Sequence, residues 1–568
     1  MPWHVQTTTV NLLLIPRFRV RLPARAPRDV SRHSGGQSPA TFRFCRLCCE
    51  AVDLDALDDV DWSSLTHAYG PATTTADELR TLLSGDDRQR SEALASLVAS
   101  ICHQGSVYPA TAPAVPFLTE IAASPSLPSA FRVEVVQLLE FIAEGAVNLG
   151  RYHPDWAAEE WALALSRNLR AAGSRLLTVL RGPDAGVLRA WVVWFIHALP
   201  PTSQDLDMLR KAINREQDEV VKASIGLTLP PEDPVQRDLI SIEEHPLVRL
   251  AAAAQLIATD RDLDHCVTVA KECVPQTTRF AEMPIRADDT SPVRLIASRL
   301  GTVSPDRQHF WIALWVQDRH HCVEALYAAW EASETRRSSA RALLDPVTQV
   351  LRRPPLETQE FLGTAALSLT MLGLPGMNRL RELTSSLTGD ALERVKFYLA
   401  NAERETSLFA QEQPMITPQR RPKDLAALLH DVRPHHISEL DAVKALDELA
   451  AWGPAASEQA PEVGRLLDET KSVTVRVHAA RALARIAGDA ERSVQVLIRE
   501  FDEHHWQGAM IARVLGELGP SAATAIPILR DYVDRDFRPR DITALRDDLA
   551  AAACVEAIAR IQPPSSPS

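Results

Sequence analysis

"SICHQGSVYPATAPAVPFLTEI" (100–121) sets Cys102, His103, Gln104 and Tyr108 around Gly105, with three prolines before an apolar run. A thiol, an imidazole and a phenol this close are the types that do nucleophilic or acid–base chemistry. No H-E-x-x-H, G-x-S-x-G, Walker A or dinucleotide fingerprint stands in its required context to organise such chemistry. "DRDLDH" (260–265) opens like a calcium loop with Asp260, Asp262 and Asp264. Its sixth position is His265 rather than Gly and its twelfth is Lys271 rather than Glu, so it reads as a helix cap. "CRLCC" (Cys45, Cys48, Cys49) has zinc-knuckle spacing, but a structural zinc needs four ligands and only His33 lies nearby.

Three histidine doublets remain: His320/His321, His435/His436 and His504/His505. Neighbours on a helix point about 100° apart and do not chelate together, so these read as solvated or capping residues. His320 and Glu324 lie one turn apart, a weak metal pair at most, and Trp191 and Trp194 flank two valines as core residues do. His478, Arg481 and Arg485 share one helix face at spacings of three and four, suited to an acidic partner. No catalytic, cofactor or metal residue is assigned and no cofactor is expected. The candidate partner contacts are His103, Gln104, Tyr108, His478, Arg481 and Arg485.

The elements that must carry these residues are helices. "LDELAAWGPAASEQAPEVGRLLD", "ARALARIAGDAERSVQVLIREF" and "ARVLGELGPSAATAIPILRDYV" align on Gly453, Gly488 and Gly519. The triplets Ala445/Leu449/Trp452, Ala480/Ala484/Ala487, Ile511/Leu515/Leu518 and Cys554/Ile558/Ile561 repeat the 4-then-3 spacing of one helical stripe. One such pair cannot bury its apolar face alone, so the units stack. One repeat beyond His478, Arg481 and Arg485 stand Ala509, Ala512 and Gly516, so the basic strip does not continue.

"SVTVRVHAARALARIAGDA" (472–490) resembles the second helix of a HEAT repeat, of the kind found in phycobilisome-lyase-type HEAT-like proteins. "AIPILRDYV" (525–533), with Pro527, resembles the first helix, and "AVPFLTEI" (114–121) superposes on it through Pro116. "DVDWSSLTHAYG" followed by "CHQGSVYPATAPAVPFL" is similar to the start of HEAT-repeat proteins of high-GC actinobacteria without an assigned activity. The fold implied is all-α: a right-handed α-α superhelix, HEAT-like, clearest in the C-terminal third and degenerate upstream.

The expected organisation is 1–51, a disordered or misannotated extension; 52–410, degenerate repeats; 411–422, a linker; 423–561, regular repeats; and 562–568, a disordered tail. Val52 fits an alternative start. "QEQPMITPQRRP" supplies the linker, polar with three prolines. Second helices are recognisable upstream at "PLVRLAAAAQLIA" (246–258) and "FRVEVVQLLEFIAE" (131–144).

Composition bounds the function. The net charge is −13, although residues 1–51 hold eight Arg against only Asp29 and Glu50, so the body is more acidic still. Such a body repels phosphate at long range and disfavours nucleic acid. Eight scattered cysteines fit a reducing compartment, and no apolar run reaches the ~18 residues of a membrane span. Only seven of the 61 basic residues are lysine, as in a high-GC, bacterial coding sequence. The expectation is a cytoplasmic, non-enzymatic scaffold for a protein partner. The alternatives are a bilin-lyase-like enzyme on the same scaffold and a HEAT-type DNA-binding protein.

Overall fold

The structure, a computed structural model, describes residues 55–260, 262–284, 291–356, 358–410, 417–430, 437–539 and 542–563. The "CRLCC" cluster, His435/His436 and residues 411–416 of the 411–422 segment lie outside them. The chain is an all-α helical-repeat protein; the described strands are a two-residue hairpin pair, β1 (Thr66–His67) and β2 (Gly70–Pro71), antiparallel. It divides into two compact units, Met1–Pro292 and Val293–Ser568.

The first unit stacks α1 (Asp87–Ile101), α2 (Thr111–Ala123), α3 (Ser129–Tyr152), α4 (Glu160–Leu176), α5 (Gly186–His197), α6 (Glu219–Thr228) and α7 (Pro246–Ile257), with further helices before, between and after them. α3, α5, α6 and α7 are the inner members, each packed on the next. In α7 every residue from Leu247 to Gln255 is buried, and four consecutive alanines let neighbours approach on both sides. α5 buries Val192 to Ile196, Trp194 included, its ring stacked on His197.

The second unit contains α8 (Pro292–Val303), α9 (Cys322–Thr335), α10 (Arg337–Arg352), α11 (Gln359–Met371), α12 (Leu374–Leu383) and α13 (Gly389–Ala410). The regular repeats follow: α14 (Ile437–Trp452), α15 (Ala460–Glu469), α16 (Val473–Ala487), α17 (Ala490–Glu503), α18 (Gly508–Leu518), α19 (Ile526–Asp534) and α20 (Ala544–Ile561). Gly453, Gly488 and Gly519 end α14, α16 and α18 with φ of 57°, 68° and 58°. Positive φ, which a Cβ disfavours, is why glycine recurs at the aligned position. The expected core stripe holds at its first member, since Ala445, Ala480, Ile511 and Cys554 are buried completely. It fails at the last member in α14 and α16, where Trp452 and Ala487 are exposed, whereas Ile561, the last member in α20, is buried.

Stacking in this unit does not follow chain order. α20 packs on α18 through small residues: a Cβ at Gly516 would stand 3.0 Å from Ala557 Cα, and one at Gly508 3.3 Å from Ala550 Cβ. The N-terminal end of α20 packs elsewhere. Leu545 and Leu549 form a cluster with Met377 of α12 and Ala402 of α13. α20 thus joins both halves of the unit, and the array α14–α20 docks on α11–α13 through its last helix.

Candidate functional site

The edge around His103 is built by two close approaches. His103–Gly105 is a single 3-10 turn in which Gln104, not a glycine, takes φ 51°, ψ 37°, followed by Gly105 at φ 79°. Left-handed backbone in a residue with a Cβ is strained and persists only where surroundings enforce it. α3 enforces it: a Cβ at Gly145 would stand 2.7 Å from the Gly105 carbonyl oxygen. The clasp is Thr111, buried completely; its hydroxyl accepts from Tyr108 N at 2.9 Å and donates to Ile101 O at 2.5 Å.

His103 Nδ1 lies 3.0 Å from Ala99 O. A carbonyl only accepts, so Nδ1 carries the proton and Nε2 is left as the ring's acceptor. The exposed ring of Tyr69, at the hairpin tip, meets His103 edge-on with centroids 5.5 Å apart. Tyr108 is half-buried; burial pushes its phenol above the ordinary range while a bond to Ser106 opposes this. Gln104 is exposed. His103 and Tyr108 thus flank one loop without bonding to each other. Cys102 is buried beneath, and burial together with Glu144 and Glu140 raises its thiol pKa, which keeps it protonated and unreactive.

The second candidate group is enclosed by acids. His478 is buried, its Nδ1 2.6 Å from Asp447 Oδ1 of α14. Arg481 reaches the same oxygen at 3.3 Å and Glu517 Oε2 of α18 at 2.7 Å. Arg485 adds a 3.3 Å contact to Glu517 and is the most exposed of the three. One face of α16 is therefore tied to both neighbouring helices.

Sequence reasoning missed a related and more general device. The fourth residue of inner helices is repeatedly a cation behind an apolar residue: Arg132 in α3, Arg189 in α5, Lys222 in α6, Arg249 in α7 and Arg476 in α16. Arg132, 2% exposed, binds Asp184 at 2.5 Å just ahead of α5. Arg189 grips Glu216 through two bonds of 2.9 and 3.1 Å just ahead of α6. Lys222 binds Glu244 at 2.6 Å just ahead of α7. Arg249 meets Glu272 at 3.5 Å, and Arg476 meets Glu500 at 2.6 Å. Burial alone would raise the Glu216 carboxyl; Arg189 and the amides of Asp218 and Gln217 hold it below its ordinary range. Each rung fixes the step from one repeat to the next.

In α20 the fourth residue is Asp547, the opposite sign. It is buried completely and accepts from Arg337 Nε at 2.7 Å and Nη2 at 2.8 Å, Arg538 Nη1 at 2.7 Å and the Tyr532 hydroxyl at 2.8 Å. Arg337 Nη1 also donates to the carbonyls of Tyr532, Val533 and Arg535 at the end of α19, which lack helical partners. Just past α19 the backbone of Phe537 bridges to that of Arg336, and the Arg336 guanidinium lies 4.0 Å over the Phe537 ring. Ser338 binds Asp536 through its amide at 2.7 Å and its hydroxyl at 2.8 Å. These bonds close the unit on itself.

Among the described residues no group of three or more His, Cys, Asp or Glu is placed to hold a metal ion, and no helix is long and apolar enough to cross a membrane. No protein-family model and no curated protein matches the chain. Among solved structures it is similar to Kap121p bound to Pho4p, at 13% identity and a TM-score of 0.30 over 86% of this chain and 53% of that one. It is also similar to the SYS-1/POP-1 complex, at 10% identity and a TM-score of 0.20 over 87% and 99% of the chains. A circular tandem repeat protein with novel repeat topology gives 15% identity and a TM-score of 0.17 over 86% and 95%. The chain spans about half the length of Kap121p.

Proposed function

We propose that this chain is a non-enzymatic adaptor, a cytoplasmic bacterial HEAT-repeat scaffold that binds a protein partner through the Tyr69–His103–Gln104 edge. The observation that carries the reading is the left-handed Gln104. A strained residue held open beside an exposed tyrosine is spent conformational energy, and such strain clusters where a surface is used. The edge offers an aromatic face, an imidazole acceptor and a side-chain amide, the mixture of anchor and adaptable polar groups that suits a protein surface. Tyr108 stands behind it, and Arg485 is the outward member of the second group, with His478 and Arg481 as its support. The kinship with phycobilisome-lyase-type repeats rests on the pattern of 472–490 and 525–533 and extends to the repeat alone.

The test is a stoichiometric complex, isolated from the native host and sized by light scattering. Tyr69→Ala and His103→Ala should abolish it while leaving the melting temperature of the free chain unchanged. A complex that survives both substitutions, or a chain that runs alone and turns over a metabolite, overturns the reading.

A further inference from the structure

A cavity of about 240 Å³ opens in the second unit beside the closure. Leu374, Val533 and Ala551 give it an apolar wall, and its charged lining is Arg337, Arg341, Arg538 and Asp548. Two of these four are spent. Arg337 commits all three nitrogens to Asp547 and the α19 carbonyls. Asp548 accepts from Arg538 Nη1 at 2.6 Å and from the Leu374 amide at 2.9 Å. Burial pushes its carboxyl above the ordinary range while the charge and hydrogen bond of Arg538 oppose this.

Each of the other two arginines keeps an unmet donor, although Arg538 Nη1 is already committed to Asp547, Asp548 and the Ala544 carbonyl. Arg538 is 6% exposed, and its Nε is buried with no hydrogen-bond partner. A buried guanidinium N–H is costly to leave unmade, so the site lacks an acceptor. Arg341, exposed on α10, makes no ion pair or hydrogen bond among the described residues. Two available cationic donors and an apolar wall have one simple complement.

We propose that this cavity binds a small carboxylate anion with a short apolar chain, its carboxylate held by Arg341 and Arg538 Nε and its chain laid on Leu374, Val533 and Ala551. The volume lies below the ~300–1,000 Å³ of ordinary ligand pockets, which limits the chain to a few carbons. Inorganic phosphate would satisfy the arginines and leave the wall empty. Because the walls come from α10, α12, α19 and α20, occupancy strengthens the closure.

The experiment is calorimetric titration of the full chain with butyrate, inorganic phosphate and chloride at matched ionic strength, alongside melting curves. Butyrate should bind saturably at one site and raise the melting temperature. Arg341→Ala should weaken binding at least tenfold without changing the melting temperature of the free chain, and Arg341→Lys should restore part of it. No saturable butyrate heat, equal effects of chloride, binding of phosphate in place of butyrate, or binding indifferent to Arg341→Ala each overturns the proposal.

Discussion

In the unit Met1–Pro292, Arg132, Arg189, Lys222 and Arg249 reach acids 52, 27, 22 and 23 residues further along the chain. In the unit Val293–Ser568, Arg337 reaches Asp547 across 210 residues. The chemistry is the same, a guanidinium or ammonium against a carboxylate, but the entropic burden is not. Closing a loop costs about (3/2)RT ln n, so the long pair carries about 2 kcal/mol more than a 23-residue rung. One ordinary rung does not offset that. Arg337, Tyr532, Arg538 and Asp547 therefore share one buried network, in which each member supports the others. Rungs set the pitch one step at a time, whereas the closure forms or fails as a whole.

The largest expected effect follows from removing the acid at the centre of the closure. Asp547→Ala leaves Arg337 and Arg538 buried without their shared counter-charge, at a cost of about 3–5 kcal/mol. Hydrogen exchange should show α10 and α20 losing protection together while the first unit is untouched. Loss confined to α20 would break the contrast drawn above.

A rung should cost less. Arg189→Met removes two bonds to Glu216 and should lower stability by about 1.5–3 kcal/mol in urea titration, with faster exchange restricted to α5 and α6. A loss equal to that of Asp547→Ala would mean the rungs also act cooperatively.

Acid sharpens the contrast further. For Asp547, burial raises the carboxyl but the bonds and charge of Arg337, with Arg538, overcome it, so its folded pKa lies below the ordinary value. Its contribution is present above the unfolded pKa and lost as pH falls through the folded one; Glu216 behaves likewise. Asp548 has the opposite sign: raised by burial, it favours the folded state most when protonated, and that contribution fades as pH rises through its folded pKa. Asp548→Asn should therefore make stability in the second unit rise more steeply between the ordinary carboxylate range and neutrality. An unchanged slope in acid melting curves would remove Asp548 from this account.

The smallest effect should be a gain. Gln104→Gly relieves a left-handed backbone and should stabilise the first unit by about 1 kcal/mol, read from its melting temperature. A loss instead would show that the Gln104 side chain holds the edge.

Local patterns in the sequence made the helices and their repeat legible, because both are written at spacings of three, four and about thirty residues. The spacing that aligns Gly453, Gly488 and Gly519 also marks three positive φ angles, although Gly488 is left-handed helical and Gly519, at ψ −140°, is not. The match of "AVPFLTEI" to "AIPILRDY" caught the buried residues Leu118 and Leu529 but not the helix starts: Pro116 lies inside α2, while Pro527 is the second residue of α19. The site was harder to read. His478, Arg481 and Arg485 do share a face, yet Asp447 and Glu517 belong to helices one repeat away on either side. The rungs leave a visible trace in Phe131-Arg132, Leu188-Arg189, Val221-Lys222, Val248-Arg249 and Val475-Arg476. Their acids vary in type and distance, so no fixed spacing marks the pairs. Thr111, a lone hydroxyl among prolines, has no periodic signal at all.

The docking of α20 on α11–α13 also sets a timetable. A ribosome that has finished Arg337 must add 210 more residues before Asp547 exists. Until then the α14–α19 repeats can pair among themselves as they emerge, and the end of α19 can reach α10 through Arg337 and Ser338, but the network centred on Asp547 is missing. Completion of the second unit thus waits for its final helix, and non-local steps of this kind are slow and expose unpaired apolar surface while they wait. A ribosome stalled before codon 544 would release the regular repeats already stacked but held to the earlier helices only by the end of α19.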